Sequence, residues 1–164
     1  MHRQRYIGRM TRFAQTRLAA LLLPAALMAG ALGSQFIGGL FPCEMCHWQR
    51  WPHYVAIVLA LGAFIVPETI GRVAVGLAIA AILTSGAIGI FHAGVEYHWW
   101  QGLTRCSAPL SGQSGADMLA QIMATPIIQC DVPQWTLFGI SLAGFNAIIS
   151  ILGGLAIIAL WRRR

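Results

Sequence analysis

Four stretches of this sequence run on without a single charged residue: 18–37, 54–66, 73–91 and 136–161. A helix needs roughly 20 apolar residues to cross a bilayer. Three of the stretches qualify as they stand, and the second reaches spanning length by extending backward through Trp51 toward Trp48. In lipid, backbone N–H and C=O groups must find partners within their own segment, so such spans are helices. Composition agrees: the chain is 57% hydrophobic and only 10% charged, where soluble domains carry about a quarter charged residues. That excludes a disordered chain, a coiled coil and a soluble globular domain. No internal repeat or low-complexity tract interrupts the 164 residues. The expectation is an all-α membrane protein, one domain over 1–164, built as a four-transmembrane-helix bundle with spans at 18–37, 51–66, 73–91 and 136–161.

The net charge of +6 comes entirely from arginine. A basic chain can signal nucleic acid, but these residues cluster at the termini and in one short turn, which is how membrane proteins carry charge. Arg3, Arg5, Arg9, Arg12 and Arg17 precede the first span, Arg72 lies between the second and third, and Arg162, Arg163 and Arg164 follow the fourth. Four spans put all of them on one side, leaving Arg50 and Arg105 on the other. The positive-inside rule then makes 1–17, 67–72 and 162–164 cytoplasmic, both termini included, and 38–50 and 92–135 outer loops. Trp48, Trp51, Trp99, Trp100 and Trp135 flank the outer boundary as an aromatic belt. A cleaved signal peptide ending at Ala29-Gly30-Ala31 is the competing reading, but the apolar run is longer than a usual signal core. An organelle presequence also fits the Arg-rich start, less well.

All four cysteines, Cys43, Cys46, Cys106 and Cys130, fall in the outer loops, where an oxidising compartment permits disulfides. Four cysteines admit three pairings. Cys43 and Cys46 stand in Cys-x-x-Cys spacing, which closes too little chain to be a useful staple and often lowers one thiol pKa. That spacing reads as a redox pair, with Cys106 and Cys130 as the candidate second pair across the long loop; taken alone, a pair like the second is more often a staple. The segment Cys43-Glu44-Met45-Cys46-His47 also matches the attachment pattern for c-type haem, with His47 as proximal ligand. Zinc held with His47, His92 and His98 is a further alternative. Neither uses all four thiols, and the simplest reading of these histidines, like His2 and His53, is interfacial. Arg50, one helical turn after Cys46, is placed to favour a Cys46 thiolate and to donate to a ligand carbonyl; its bland alternative is an arginine snorkelling to head groups. The second outer loop also predicts a short helix over 117–124, capped by Ser114 and stopped by Pro126. Its stripe of Met118, Leu119, Ile122 and Met123 suits either the membrane surface or the protein's own helices.

Together these residues resemble the bacterial disulfide bond formation protein B family (DsbB). Pro42-Cys43-Glu44-Met45-Cys46-His47-Trp48-Gln49-Arg50 matches its Pro-Cys-x-x-Cys-x-x-Gln/Glu-Arg signature. His92-Ala93-Gly94-Val95-Glu96 with Trp100 and Cys106 resembles its third-span exit, and 130–141 with Asn146 its entry to the fourth span. The resemblance covers nearly the whole chain. It implies an enzyme of the bacterial inner membrane whose cysteines face the periplasm. Such an enzyme is a protein thiol:quinone oxidoreductase, which reoxidises a thioredoxin-like periplasmic dithiol oxidase (DsbA-type) and passes the electrons to ubiquinone or menaquinone. By resemblance, Cys43 and Cys46 are the quinone-side pair, and Cys46 and Arg50 bind quinone. Glu96 is the candidate on the third span, where the family varies. Cys106 and Cys130 face the protein partner. Local charge makes Cys106 the better leaving group, since Arg105 favours its thiolate and Asp131 disfavours that of Cys130; the resemblance has the partner attack Cys106 and release Cys130. No metal and no nucleic acid is expected. A membrane-anchored c-type cytochrome and a scaffold with stapled loops are the alternative functions.

Overall fold

In the computed structural model, residues 2–103, 114–124 and 128–162 are described, and they form five helices and one two-stranded ribbon. Helix α1 spans His2–Phe36, α2 Glu44–Gly62, α3 Glu68–Glu96, α4 Gly115–Ala124 and α5 Leu142–Arg162. Strands β1 (Thr136–Leu137) and β2 (Ile140–Ser141) pair antiparallel.

Helices α1, α2, α3 and α5 pack as an up-and-down bundle. Gln49 of α2 meets His92 of α3, while Ala63 at the far end of α2 meets Gly71. Likewise Gly89 of α3 lies against Ala143 and Ala147 of α5, and Gly76 against Trp161. Small residues line these seams, as expected where helices must associate without a hydrophobic drive. A Cβ on Gly89 would come within 3.0 Å of Ala143 O and Ala147 N, and one on Gly154 within 2.6 Å of Leu83 Cδ2. Large apolar side chains instead face outward: Leu22, Val58, Val73, Leu77, Leu152 and Leu155 are all exposed. A soluble fold would not leave such a belt uncovered.

Three helices are long and apolar enough to cross a membrane: α1 from Arg12 to Phe36, α3 and α5. Helix α2 falls short of that measure because Glu44, His47, Gln49, Arg50 and His53 crowd its first half. Its start is also earlier than the expected 51. Cys43 is the N-cap, its Sγ accepting from Cys46 N at 3.3 Å, so half of the expected loop 38–50 is helix. Helix α3 likewise runs on past 91 and carries His92 and Glu96 on its last turns rather than in a loop.

The fourth apolar run does not begin as a helix. Residues 136–141 form the ribbon, closed by Phe138 (φ 52°) and Gly139 (φ 77°) in the left-handed region, as a two-residue hairpin turn demands. Ser141 then caps α5, its Oγ accepting from Gly144 N at 3.1 Å. The apolar run 136–161 hid this boundary because strand and helix residues are equally uncharged there. In α4, Ser114 Oγ accepts from Asp117 N at 3.2 Å, an N-cap of the usual kind. Met118, Leu119 and Met123 are exposed.

Candidate active site

The cysteine end of the bundle is assembled from the start of α2, the end of α3, the start of α5 and the returning loop 128–135. Cys43 and Cys130 are buried together with Met45 and Val95. Cys43 Sγ stands 3.0 Å from Cys46 Sγ, and Cys43 and Cys130 belong to one buried cluster against which Cys46 packs. One tie holds the loop and one the hairpin that follows it: Gln134 Nε2 donates to Phe41 O (2.6 Å) and Tyr97 OH donates to Gly139 O (2.8 Å). Cys106 lies outside the described residues, as does its neighbour Arg105.

The thiols are not equivalent. Hydrogen bonding to Cys130 and Cys46, with burial, pushes the Cys43 thiol up. Cys46, at the first turn of α2 ahead of the expected membrane crossing, is lowered, chiefly by the hydrogen bond from Cys43. Of the pair, Cys46 is therefore the thiol that ionises more readily, next to the positive end of the helix dipole.

Arg50 is buried rather than snorkelling. Its Nη1 donates to Gln35 Oε1 (2.6 Å) and its Nη2 to Ala31 O (3.1 Å), both on α1. Arg50 and Cys46 line a cavity of about 310 Å³ between α1 and α5, at the lower end of the size of small-molecule sites. Its apolar lining includes Leu27, Met28, Phe145 and Ile149; its polar lining residues are Ser34, Cys46, Gln49, Arg50, His53 and Asn146. Cys46 and Arg50 also line a smaller cavity of about 50 Å³ under the outer loop, shared with Cys43, His92 and Glu96.

Glu96 borders only that smaller cavity. Its carboxylate accepts from Ser141 Oγ, tying the end of α3 to the cap of α5, and lies 3.8 Å from His92 Nε2. The structure thus gives it a joint between helices, away from the larger cavity.

The sequence reading missed a buried polar network that crosses three helices. Gln49 of α2 sits at its centre: Nε2 hydrogen-bonds His92 Nδ1 (2.6 Å), and Oε1 accepts from Asn146 Nδ2 (2.8 Å). Asn146 Oδ1 in turn meets His53 Nε2 (2.9 Å) and accepts from Ser150 Oγ (3.0 Å). Ser85 Oγ, on α3, donates to Gln49 O (2.8 Å). His53 and His92, expected at the interface, are buried; His47 and His98 are exposed. The signal for the network was available in principle: a lone His, Ser or Asn in an otherwise apolar span faces the bundle interior.

His92 Nε2 stands 3.6 Å from Cys43 Sγ, and Cys43, Cys46 and His92 have ligand atoms within 4.8 Å of one another. His47 and His98, the other zinc candidates, do not join this cluster.

Comparison with known proteins agrees with the geometry. The family described as Disulfide bond formation protein DsbB matches residues 13–161. A protein named Disulfide bond formation protein B from Azoarcus sp. (strain BH72) is 31% identical, covering 88% of both chains. One of the same name from Chromohalobacter salexigens is 31% identical over 89% of this chain and 92% of its own. An uncharacterized protein of Rickettsia prowazekii is 24% identical over 85% and 83%. No solved structure matches. With its clustered thiols, its membrane-length helices and a match that runs nearly end to end, the chain belongs to the DsbB family of disulfide bond formation proteins, multi-pass membrane proteins with a disulfide oxidoreductase role.

Proposed function

We propose that this protein oxidises the dithiol of a DsbA-type periplasmic partner and passes the electrons to membrane quinone. The observation that carries the reading is the position of Cys43, between Cys130 on one side and Cys46, at the cavity, on the other. A loop thiol, Cys130, packed beside the Cys43/Cys46 pair in this way suits a relay rather than a staple.

Each step is a thiolate attack on a disulfide sulfur. The partner thiolate attacks Cys106 of the Cys106–Cys130 disulfide and releases Cys130; the partner's second thiolate then attacks its own bonded sulfur and frees Cys106. The Cys130 thiolate attacks Cys43 and displaces Cys46, whose low pKa makes it the better leaving group. The Cys106 thiolate then attacks Cys130, restores the outer disulfide and frees Cys43. The balance is one disulfide made in the partner and the Cys43/Cys46 pair reduced to a dithiol. Quinone, when bound, accepts two electrons and two protons from that dithiol.

The cavity suits such a ring. Its walls are apolar, Cys46 offers a thiolate, and Arg50 offers guanidinium donors toward developing negative charge on an oxygen. Arg50 is held for that task by its bonds to Gln35 and Ala31 O. Ubiquinone and menaquinone both fit this chemistry. The same reading makes α2 the fourth membrane crossing, puts both termini in the cytoplasm and the cysteines in the periplasm of the inner membrane, and lays the exposed Met118, Leu119 and Met123 of α4 on the lipid surface.

A c-type cytochrome would use Cys43 and Cys46 to hold a macrocycle. Sulfurs 3.0 Å apart are set to pair with each other instead. The test is the purified protein with a reduced DsbA-type partner and a short-chain quinone. Quinone absorbance should fall, and Cys46→Ser should stop it. A Soret band and a haem stain surviving denaturation, without quinone reduction, would establish the cytochrome.

A further inference from the structure

A glycine inside a helix is less stable there than alanine, so each one needs a reason. In this bundle the usual reason is close packing. A Cβ would come within 3.1 Å of a neighbouring atom at Gly71, Gly76, Gly86, Gly89, Gly153 and Gly154. Gly30 is different. It lies well inside the membrane-length part of α1, Arg12–Phe36, yet a Cβ on it would meet nothing within 4 Å. Gly33 and Gly62 have open space too, but they stand in the last turns of α1 and α2. Among the described residues, Gly30 is the glycine away from a helix end that packing does not explain.

What Gly30 does border is the larger cavity. Ala26, Gly30 and Ser34 line it at intervals of four residues, on one face of α1. Ala26 and Gly30 are also exposed, as are Leu142 and Ile149, which line it from α5. A residue that both lines a cavity and faces outward stands at its rim. The cavity therefore opens sideways between α1 and α5, through the belt of exposed apolar side chains. Farther from the cysteines the two helices close up: a Cβ on Gly153 would come within 2.5 Å of Leu23 Cδ2.

We infer that Gly30 keeps this side opening wide enough for the polyprenyl chain of a membrane quinone, and is the residue that fits the site to long-chain quinones. The inference rests on the quinone reading of the cavity. A volume of about 310 Å³, at the lower end for small-molecule sites, has room for a substituted ring beside Cys46 and Arg50 but not for a long chain as well. The chain has to leave the cavity, and an apolar chain leaves at least cost where the wall gives onto lipid. The bare Cα of Gly30 lets it run out past α1. A larger side chain at this position has free space to enter, and that space is the path of the chain.

The test is equilibrium binding to the oxidised protein in lipid nanodiscs, followed by tryptophan fluorescence. Two probes share one ring: dimethoxy-methyl-benzoquinone without a chain, and its decyl derivative. Each affinity is read as the ratio of variant to wild type, so partition into lipid cancels. Gly30→Leu should weaken binding of the decyl compound about tenfold or more, the effect of overfilling a packed space, and that of the tail-less ring less than about twofold. Gly30→Ala adds one methyl group to the same space and should act on the decyl compound alone, in smaller measure. Gly33→Leu, also in open space but outside the cavity lining, should change neither. Tail-less binding that persists in Gly30→Leu shows that the variant is folded. Equal weakening of both probes by Gly30→Ala and Gly30→Leu, weakening of neither, or a matching loss in Gly33→Leu would overturn the inference. Wild-type protein that binds neither probe would overturn the quinone reading itself.

Discussion

An arginine fastens α1 to α2 at each end of the bundle, and the two are put to different uses. At one end Arg17 Nη1 donates to Ala63 O (3.0 Å), satisfying a carbonyl at the close of α2. Its guanidinium lies over Phe13 and Phe64, at 4.8 and 4.9 Å from the ring centroids. Arg72 covers Phe13 as well and pairs with Glu68 at 2.7 Å. At the other end Arg50 donates to Gln35 and to Ala31 O. Both residues therefore bond to a carbonyl oxygen of the neighbouring helix. The difference lies in what stands beside them. Arg17 meets aromatic faces, which hold a cation and do nothing further with it. Arg50 meets a cavity and, one turn earlier on its own helix, a thiol with a lowered pKa. A buried arginine in a membrane bundle acts on a ligand only where the packing leaves room and a reactive group next to it.

The contrast is broken or sharpened most by removing the thiol. Cys46→Ser should reduce quinone reduction to background, while Arg17→Met should keep at least about half of wild-type kcat; comparable losses in both would mean that the two ends are not separable. Next in size is the direct exchange of arginines for methionine. Arg50→Met loses a charge-assisted contact to the ligand and should raise KM for quinone about tenfold or more, with kcat less affected. Arg17→Met should leave that KM unchanged and instead lower stability by about 1–3 kcal/mol, read as a fall in Tm.

A smaller effect separates the two thiols of the pair. Because the Cys46 pKa is lowered, its thiolate persists as pH falls below the range of an ordinary thiol; because that of Cys43 is raised, Cys43 stays protonated as pH rises through that range. Iodoacetamide labelling of the reduced protein, resolved by peptide mass, should therefore reach half its maximal rate at lower pH for Cys46 than the roughly 8.5 of a free cysteine, and at higher pH for Cys43. The reverse order would contradict the assignment of the thiolate. The smallest effect belongs to the Arg17 end: Glu68→Gln breaks a half-exposed pair and should cost no more than about 0.5 kcal/mol.

What the sequence made legible follows from distance along the chain. Cys43, Cys46 and Arg50 fall within two turns of one helix, so spacing alone brings them together. The three longest apolar helices were legible for the same reason, since their signal is continuous. The network around Gln49 was not: its members come from α2, α3 and α5, and each is a single polar residue in an apolar run. Spacing within one segment says nothing of which helix will face it. The hairpin at 136–141 was hidden because Gly139 was its one turn signal, and Phe138 takes a left-handed conformation that the sequence gives no reason to expect. Glu96 is a candidate by resemblance alone, and its bond to Ser141 could not be read from the sequence because the two lie far apart along the chain.

The central claim is that the cavity beside Cys46 and Arg50 holds the quinone ring, and photolabelling tests it most directly. An azido-quinone is irradiated with the purified protein, and the labelled peptides are mapped by mass spectrometry. Label should fall on α1 within 26–34 and on α5 within 142–149, and excess unlabelled quinone should suppress it. Label confined to the Arg17 end, or label that unlabelled quinone does not suppress, would contradict the assignment of this site.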